Sequence, residues 1–455
     1  MKVSFNKTKI ICTIGPSSWD EGVLRKLILQ GMDIARFNLS HSSPSKHLSR
    51  IKSLKRMASK LDVPLGIMAD LPGIKLRIGR VPGFVVEEGE VLKFVYARSS
   101  SSREIPLPYK GFFGLVNRND TLFLDDGKIQ AKVLRKSGLN FWAKVKNSGE
   151  VSSRKSIHIR GKTPDIKSPT PKDLNYAQFF APYVDFVSIS YVRYPQDVEK
   201  IKKAVKKINP YCMCIAKIET TQAVKNLKDI LRVCEGVMVA RGDLGLQADI
   251  VRMGVLQKII IREAKRFNLP VIVATQILDS LVREVFPLRS EVSDITNAVL
   301  DGADALLLSN ETSVGKYPLR AVNILRNVCA YTERVCRWSW QPKEGYRGGV
   351  GEGLSYAINA LAQFLKVDKI IVITDDIALL ARLSGPHLKQ DVVLVSPQRK
   401  ILPLANIFYR VLPLYFRQVS LKSVKTFLAG KSLVNKGKIY PVLLSLGEKK
   451  FIGMV

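Results

Sequence analysis

Two short peptides carry the densest chemistry in this chain, Ala216-Lys217-Ile218-Glu219 and Ala240-Arg241-Gly242-Asp243. Each closes an apolar run of strand length. Glu219 and Asp243 offer hard carboxylate oxygens, which suit Mg2+ or Mn2+ with the remaining positions left to substrate and water. Lys217 lies two residues before Glu219, so on a strand both side chains face the same way. An ammonium beside a divalent cation suits a phosphoryl group under transfer, where a protein supplies mainly position and opposing charge. Singly, each residue reads equally well as a solvated loop charge or a barrel salt bridge; on adjacent strands they converge on one site. A third peptide, Ala35-Arg36-Phe37-Asn38-Leu39-Ser40-His41, alternates Arg36, Asn38 and Ser40 on one face. That face offers a guanidinium for phosphate and oxygens for a cation or a ribose. Ala274-Thr275-Gln276 and Ser309-Asn310-Glu311-Thr312 add hydroxyls at the ends of two further runs.

Eight such apolar runs can position these residues: 9–14, 32–39, 64–71, 185–191, 211–219, 236–241, 270–276 and 304–309. Most are continuous Val/Ile/Ala-rich segments, the pattern of strands buried on both faces. Amphipathic stretches of helical length separate most of them. One is expected to start at Ser18, where Ser18 and Glu21 have capping-box spacing and Val23, Leu24, Leu27 and Ile28 form an apolar face. Repeated strand–helix alternation predicts an α/β fold with a parallel sheet. Polar residues collected at the carboxyl ends of nearly every strand favour a (β/α)8 barrel over an open sheet. Residues 80–161 interrupt the alternation with period-two patterns at 85–89, 91–96, 121–126, 129–134 and 141–146, which predict a small inserted β domain. Residues 338–353 read as a linker. A further α/β pattern follows, with strands at 368–374 and 391–396 and a helix over 377–388. The expected units are therefore barrel (1–79 and 162–340), insert (80–161) and C-terminal domain (345–455).

Lys and Arg number 72 and Asp and Glu 39, a net charge of +33. The excess is spread along the chain, not gathered in a tail or stripe, and no KH, RRM or zinc-finger pattern occurs. It reads as a cationic surface that attracts anionic substrates, with no nucleic-acid partner beyond nonspecific contact. No apolar run approaches the roughly 18 residues of a membrane span. Neither a signal peptide nor a disulfide spacing is evident, and the six cysteines are scattered. These features predict a cytoplasmic protein with reduced thiols.

The peptides TKIICTIGPSS, GMDIARFNLSH, IAKIE, VMVARGDLG, PVIVATQILDS and NAVLDGADALLLSNETSVGKYPLRAV resemble those of pyruvate kinases. The resemblance spans the barrel; it is weaker in the insert, through FLDDGKI and residues 155–161, and slight in the C-terminal domain. It implies a TIM barrel with an inserted small β-barrel lid and a homotetramer. It also implies Mg2+- or Mn2+-dependent phosphoryl transfer from phosphoenolpyruvate to ADP, giving pyruvate and ATP. On this resemblance Glu219 and Asp243 correspond to the divalent-metal ligands and Lys217 to the lysine that stabilises the transferring phosphoryl group and the enolate. Arg36 matches the phosphate-binding arginine. Arg77, His41, Lys155 and Asn38 match nucleotide-side positions. Asn38, Ser40, Asp70 and Leu71 match the potassium site. Ala240, Arg241 and Gly242 match the turn whose backbone receives the substrate carboxylate beside Thr275. Thr275, Ser309 and Glu311 lie near the path that protonates the enolate.

Three departures stand out. Asn310 replaces a glycine, and its tolerance of left-handed backbone suggests that the turn survives. Leu71 and Lys75 stand where potassium-dependent members carry threonine and glutamate; the ammonium of Lys75 is expected to replace K+, which is then not required. Thr374-Asp375-Asp376-Ile377 stands where sugar-bisphosphate-activated members have a Ser/Thr/Gly-rich turn. Two other readings compete: another phosphoenolpyruvate- or pyruvate-handling barrel lyase, which would share the metal pair but not need the lid, and a non-catalytic cationic binding protein.

Overall fold

The computed structural model describes residues 5–74, 76–162, 168–335, 350–384, 390–417, 420–434, 438–446 and 449–454. Eight strands close into a parallel barrel: β1 (Lys9–Thr13), β2 (Ile34–Asn38), β3 (Gly66–Asp70), β4 (Phe186–Ile189), β5 (Met213–Ile218), β6 (Gly236–Ala240), β7 (Val271–Ala274) and β8 (Ala305–Leu308). Each lies inside one of the eight apolar runs. β1 pairs with β2 on one side and β8 on the other, which closes the ring.

Strand parity splits the core in two. Ile10, Cys12, Ile67, Val187, Val237 and Val273 point outwards and pack with the surrounding helices. Ile11, Ile34, Met68, Phe186, Ile215, Met238, Ile272 and Leu307 fill the lumen. Two residues further along the same inward parity come Thr13, Arg36, Asp70, Ser188 and Lys217. The barrel is thus apolar through its lower layers and polar in its top layer, so the chemistry is confined to the carboxyl ends.

The first barrel helix, Glu21–Gln30, begins two residues later than the capping-box spacing predicts. Asp20 is its N-cap, accepting from Val23 N at 2.9 Å. Ser18 instead closes a separate 3-10 turn, Pro16–Ser18, and its Oγ accepts from Gly15 N. Pro16 starts that turn with its fixed φ, and Asp20 is a strong cap beside the helix.

The insert forms two sheets. Phe84–Val86 pairs with Gly149–Val151, and six strands order as Ile157–Ile159, Thr121–Leu124, Ile129–Ser137, Asn140–Val145, Val91–Val95 and Ile105–Pro106. It has a core of its own, in which Phe94 and Phe141 stack at 4.5 Å. The insert rests on the barrel's active end: Gly161 N donates to Gln247 O at 2.8 Å, and a Cβ on Gly127 would come within 2.7 Å of Leu246 Cδ2.

The C-terminal sheet orders as Val411–Tyr415, Asp391–Ser396, Lys369–Thr374, Pro441–Leu446 and Lys449–Met454, parallel except for the last strand. Its helix Ile377–Leu383 is shorter than the pattern predicts, and residues 385–389 lie outside the described set. Of the expected linker 338–353, residues 338–349 are also outside it, and Val350 already opens the helix Val350–Phe364. This domain docks on the barrel floor. Lys9, fully buried, donates to Val411 O at 2.7 Å, and Tyr409 N donates to Asp304 Oδ1 at 3.2 Å. With the floor covered, only the opposite rim is open to substrate.

Candidate active site

Alternation on β2, β3 and β5 aims Arg36, Asp70 and Lys217 at one another across the top of the lumen. Arg36 donates through Nε and Nη2 to Asp70 Oδ2, the former at 3.0 Å, and through Nη1 to Thr13 Oγ1 at 2.8 Å. Lys217 Nζ lies 2.8 Å from Glu219 Oε1, 2.8 Å from Ser190 Oγ and 3.2 Å from Asp70 Oδ1. Ser188 Oγ donates to Asp70 Oδ1 at 2.7 Å, and Tyr191 N donates to Glu219 Oε2 at 2.7 Å. Burial alone would lower the Lys217 pKa, but Asp70 and Glu219 outweigh it and hold the ammonium well above its ordinary range. Burial pushes the Asp70 carboxyl up, and Lys217 and Arg36 overcome this to leave it below the usual carboxylate range. Glu219 goes the other way: burial and the Asp243 carboxylate raise it against the pull of Lys217.

Asp243 sits in the first turn of helix Arg241–Ala248, which starts directly at the end of β6. Where the sequence suggests a turn at 240–242, the backbone has already entered a helix, so its first amides face the rim unpaired within the helix. Gly242 N donates to Thr275 Oγ1 at 2.8 Å. The Arg241 side chain turns away from the rim. It pairs with Asp294 and donates to Thr275 O at 2.7 Å and Gln276 O at 2.9 Å. Thr275 and Gln276 both have left-handed backbone, with φ of +72° and +53°. That conformation is costly for a β-branched residue, of order 1–3 kcal/mol, and persists only where neighbours impose it. Here Arg241 bonds the carbonyls of both residues and Gly242 N bonds the Thr275 hydroxyl.

Glu311 is buried, and its carboxylate accepts from Leu278 N at 3.0 Å and Ser309 N at 2.7 Å, tying together the loops after β7 and β8. Ser309 is the N-cap residue of helix Asn310–Ser313. Asn310 is therefore in right-handed helix, not the left-handed backbone for which its tolerance was invoked. The position that demands glycine is Gly15, where a Cβ would meet Ser313 O at 2.6 Å.

The nucleotide-side candidates are split. Arg77 bridges to Ser156 and donates to Arg154 O at 2.8 Å, so it lies beside Lys155, which pairs with Asp125 at 3.0 Å. His41 and Ser40 are exposed beyond β2, and Asn38 Oδ1 accepts from Ser40 N at 3.1 Å. Of the potassium-site candidates, Asp70 is engaged as described, and Leu71 O accepts from Ser190 Oγ at 2.7 Å. Lys75 lies outside the described residues.

The donor set fits a divalent cation of the Mg2+ type. Glu219 and Asp243 bring hard oxygens, and Glu219 Oε1 is already matched by a positive group, the Lys217 ammonium. Among the described residues no group of three or more His, Cys, Asp or Glu could hold a metal unaided. Substrate and water therefore complete the shell, the usual arrangement for Mg2+. Sequence reasoning missed Thr13, Ser188, Ser190, Tyr191 and Asp294. For the serines a signal existed: Ser188 and Ser190 interrupt an otherwise apolar run with inward parity.

The barrel-domain model of the pyruvate kinase family matches residues 5–322. The pyruvate kinase of Thermotoga maritima is 33% identical over 417 residues, covering 91% of this chain and 89% of that protein. The plastidial pyruvate kinase 3 of Arabidopsis thaliana is 35% identical over 418 residues, covering 90% of this chain and 73% of that one. Among solved structures, a pyruvate kinase from Cryptosporidium parvum superposes with a TM-score of 0.90 at 27% identity, covering 99% of this chain and 96% of that chain. The pyruvate kinase of Pyrobaculum aerophilum gives 0.88 at 28% identity, covering 99% of both.

Proposed function

This chain belongs to the pyruvate kinase family, and on that premise we propose how its own residues divide the family's reaction. It is a phosphotransferase that moves the phosphoryl group of phosphoenolpyruvate to ADP, giving pyruvate and ATP in the last step of glycolysis. The observation that carries the assignment of roles is the buried cluster of Arg36, Asp70, Lys217 and Glu219 beneath a rim of helix amides.

Arg36 and Lys217 leave Asp70 to take the substrate phosphoryl group, and Lys217 also stabilises the enolate left behind. The first-turn amides of helix Arg241–Ala248, with the Thr275 hydroxyl, receive the substrate carboxylate. Arg241 acts at one remove, by holding Thr275 in its left-handed conformation. Thr275 and Ser309 stand on the protonation side of the enolate, with Glu311 fixing the Ser309 turn. Arg77, Lys155, His41 and Asn38 serve ADP. Glu219 and Asp243 would hold the family's divalent cation, which supplies charge neutralisation at the transferring oxygens; we assign Mg2+, with Mn2+ a substitute.

Potassium is not required in this reading, because the ammonium of Lys75, which follows Asp70 closely in the sequence, takes the place of K+. We assign the units 1–79 with 162–340 as catalytic barrel, 80–161 as lid and 345–455 as C-terminal domain. A homotetramer is supported by exposed apolar side chains around helix Met253–Arg266 and the 285–288 loop, where Val251 is 85% and Phe286 72% exposed. We place the enzyme in the cytoplasm. Among the described residues no helix is long and apolar enough to cross a membrane, and the five described cysteines are free.

The test is formation of ATP and pyruvate by purified protein given phosphoenolpyruvate, ADP and Mg2+. The expected result is turnover that needs all three components. Pyruvate without ATP would favour a lyase, and no product over a broad range of nucleotides, metals and pH would refute the assignment.

A further inference from the structure

The proposed mechanism uses charged residues and leaves the end of β4 without a task. That segment is nonetheless the hub of the cluster. Its Ser188 hydroxyl donates to Asp70, its Ser190 hydroxyl contacts Lys217 and Leu71, and its Tyr191 amide holds Glu219. Ser188 and Ser190 are 0% and 6% exposed, so water does not substitute for these contacts. Tyr191 has a left-handed backbone, φ +54°, and this aims its N–H at Glu219 Oε2.

We infer that Ser190 is a positioning residue for phosphoryl transfer, an uncharged anchor that keeps the Lys217 ammonium in place while its charged partners change. The inference rests on the reaction proposed above. An ammonium has three hydrogens to place. Here they face Glu219 Oε1, Asp70 and Ser190 Oγ. Two of these contacts change during the proposed reaction: Glu219 would turn to a divalent cation, and the contact with Asp70 is given up as Lys217 takes the substrate phosphoryl group. Ser190 is neutral and competes for neither phosphate nor metal.

Its orientation is fixed as well. The Ser190 proton is committed to Leu71 O at 2.7 Å, so its lone pairs are left for Lys217 at 2.8 Å. The loop below packs hard against it: Gly73, at φ +64°, has no room for a Cβ, which would lie 2.5 Å from Ser190 Cβ. Gly73 N is itself tied to Asp173 Oδ1 at 2.9 Å. The anchor is therefore braced by the loop that leads from β3 into the lid, so the placement of Lys217 depends on the seating of that loop.

The full-length enzyme tests this. Ser190→Ala should lower kcat roughly 10- to 100-fold, the effect of losing one hydrogen bond to a charged group. The KM for ADP should stay within about twofold, because the Ser190 hydroxyl bonds Lys217 and Leu71 O, on the phosphoryl side of the site. Ser190→Thr, which keeps the hydroxyl, should recover most of the loss. Acetylation of Lys217 by acetic anhydride, mapped by peptide mass spectrometry, should accelerate in Ser190→Ala relative to wild type. Should the alanine variant fail to fold, Ser190→Cys preserves volume while offering a poor acceptor, and the same changes are expected. Wild-type kcat in these variants, or an unchanged Lys217 labelling rate, would overturn the inference. An inactive wild-type enzyme would instead defeat the proposed reaction, and the labelling rates would still report on Ser190.

Discussion

Replacing Lys217 by methionine is expected to abolish turnover and, at the same time, to tighten divalent-cation binding. The ammonium sits 2.8 Å from Glu219 Oε1, one of the two oxygens of the carboxylate assigned to the metal. The other oxygen is held by Tyr191 N. A cation entering the site must therefore displace Lys217 from Oε1. A hydrogen bond to a charged group contributes about 1.5–3 kcal/mol net. Removing the competitor should lower the Kd for Mn2+ by roughly 10- to 100-fold. Turnover should fall about 10^3-fold or more, the scale of losing a preorganised charge at the transition state.

Asp70 keeps Arg36 and Ser188 in the variant, whereas Glu219 keeps only the Tyr191 amide among its hydrogen-bond partners in the cluster. Breaking a buried pair in this way costs about 3–5 kcal/mol, so the melting temperature should drop and recover when Mn2+ is added. Mn2+ binding is read by electron paramagnetic resonance or calorimetry without substrates, and turnover by a coupled assay for pyruvate. The titration belongs at mildly alkaline pH, since burial and Asp243 push the Glu219 carboxyl up and protons would otherwise compete. Unchanged or weaker Mn2+ binding by a folded Lys217→Met protein would refute the reasoning, as would turnover within tenfold of wild type.

Three further outcomes follow from other parts of the molecule. Fructose 1,6-bisphosphate should not activate: the Asp376 carboxylate already accepts from Ala378 N and Leu379 N at 2.9 and 3.4 Å, occupying the amides a phosphate would need, and Asp375, which accepts from Gln398 Nε2 at 3.1 Å, adds a second negative charge nearby. A saturable shift in phosphoenolpyruvate KM at constant ionic strength would contradict this. Activity should be nearly full without K+ or NH4+, with ionic strength held by a tetramethylammonium salt; many-fold stimulation by K+ above that control would count against an internal cation. Glu311→Gln should gain stability relative to wild type as pH rises. Burial raises the Glu311 carboxyl above its unfolded value near 4.5, so its contribution is fully present below that value and is lost as pH climbs through the folded pKa. Melting temperatures of both proteins across that range check the sign, and a gap that widens in favour of wild type would contradict it.

The barrel was legible because each of its strands is buried on both faces and leaves a continuous apolar run, while the helices between them must be amphipathic. Helix starts were less so. Ser18 and Glu21 match a capping box by spacing, yet Pro16 and Asp20 compete for the same backbone, and spacing alone does not rank them. The C-terminal domain showed its strands but not its seat on the barrel floor. That seat depends on Lys9, Asp304 and backbone groups near Tyr409 and Val411, which lie far apart in the chain.

Within the site, charge made residues visible and neutrality hid them. Glu219, Asp243, Lys217 and Arg36 stand out in apolar surroundings, where an ionised group needs a partner or a purpose. Ser188 and Ser190 satisfy the same buried groups at less cost, and only their inward parity in an apolar run marks them. Arg241 shows the converse. Its charge draws the eye to substrate, yet its guanidinium is spent on Asp294 and on the carbonyls of Thr275 and Gln276. What the motif delivers at the rim is the helix backbone after β6 and a threonine held in a conformation it would not otherwise adopt. Exchanging Arg241 for lysine would keep the charge but lose the fork that reaches both carbonyls, so the hold on Thr275 and Gln276 depends on the shape of that side chain more than on its sign.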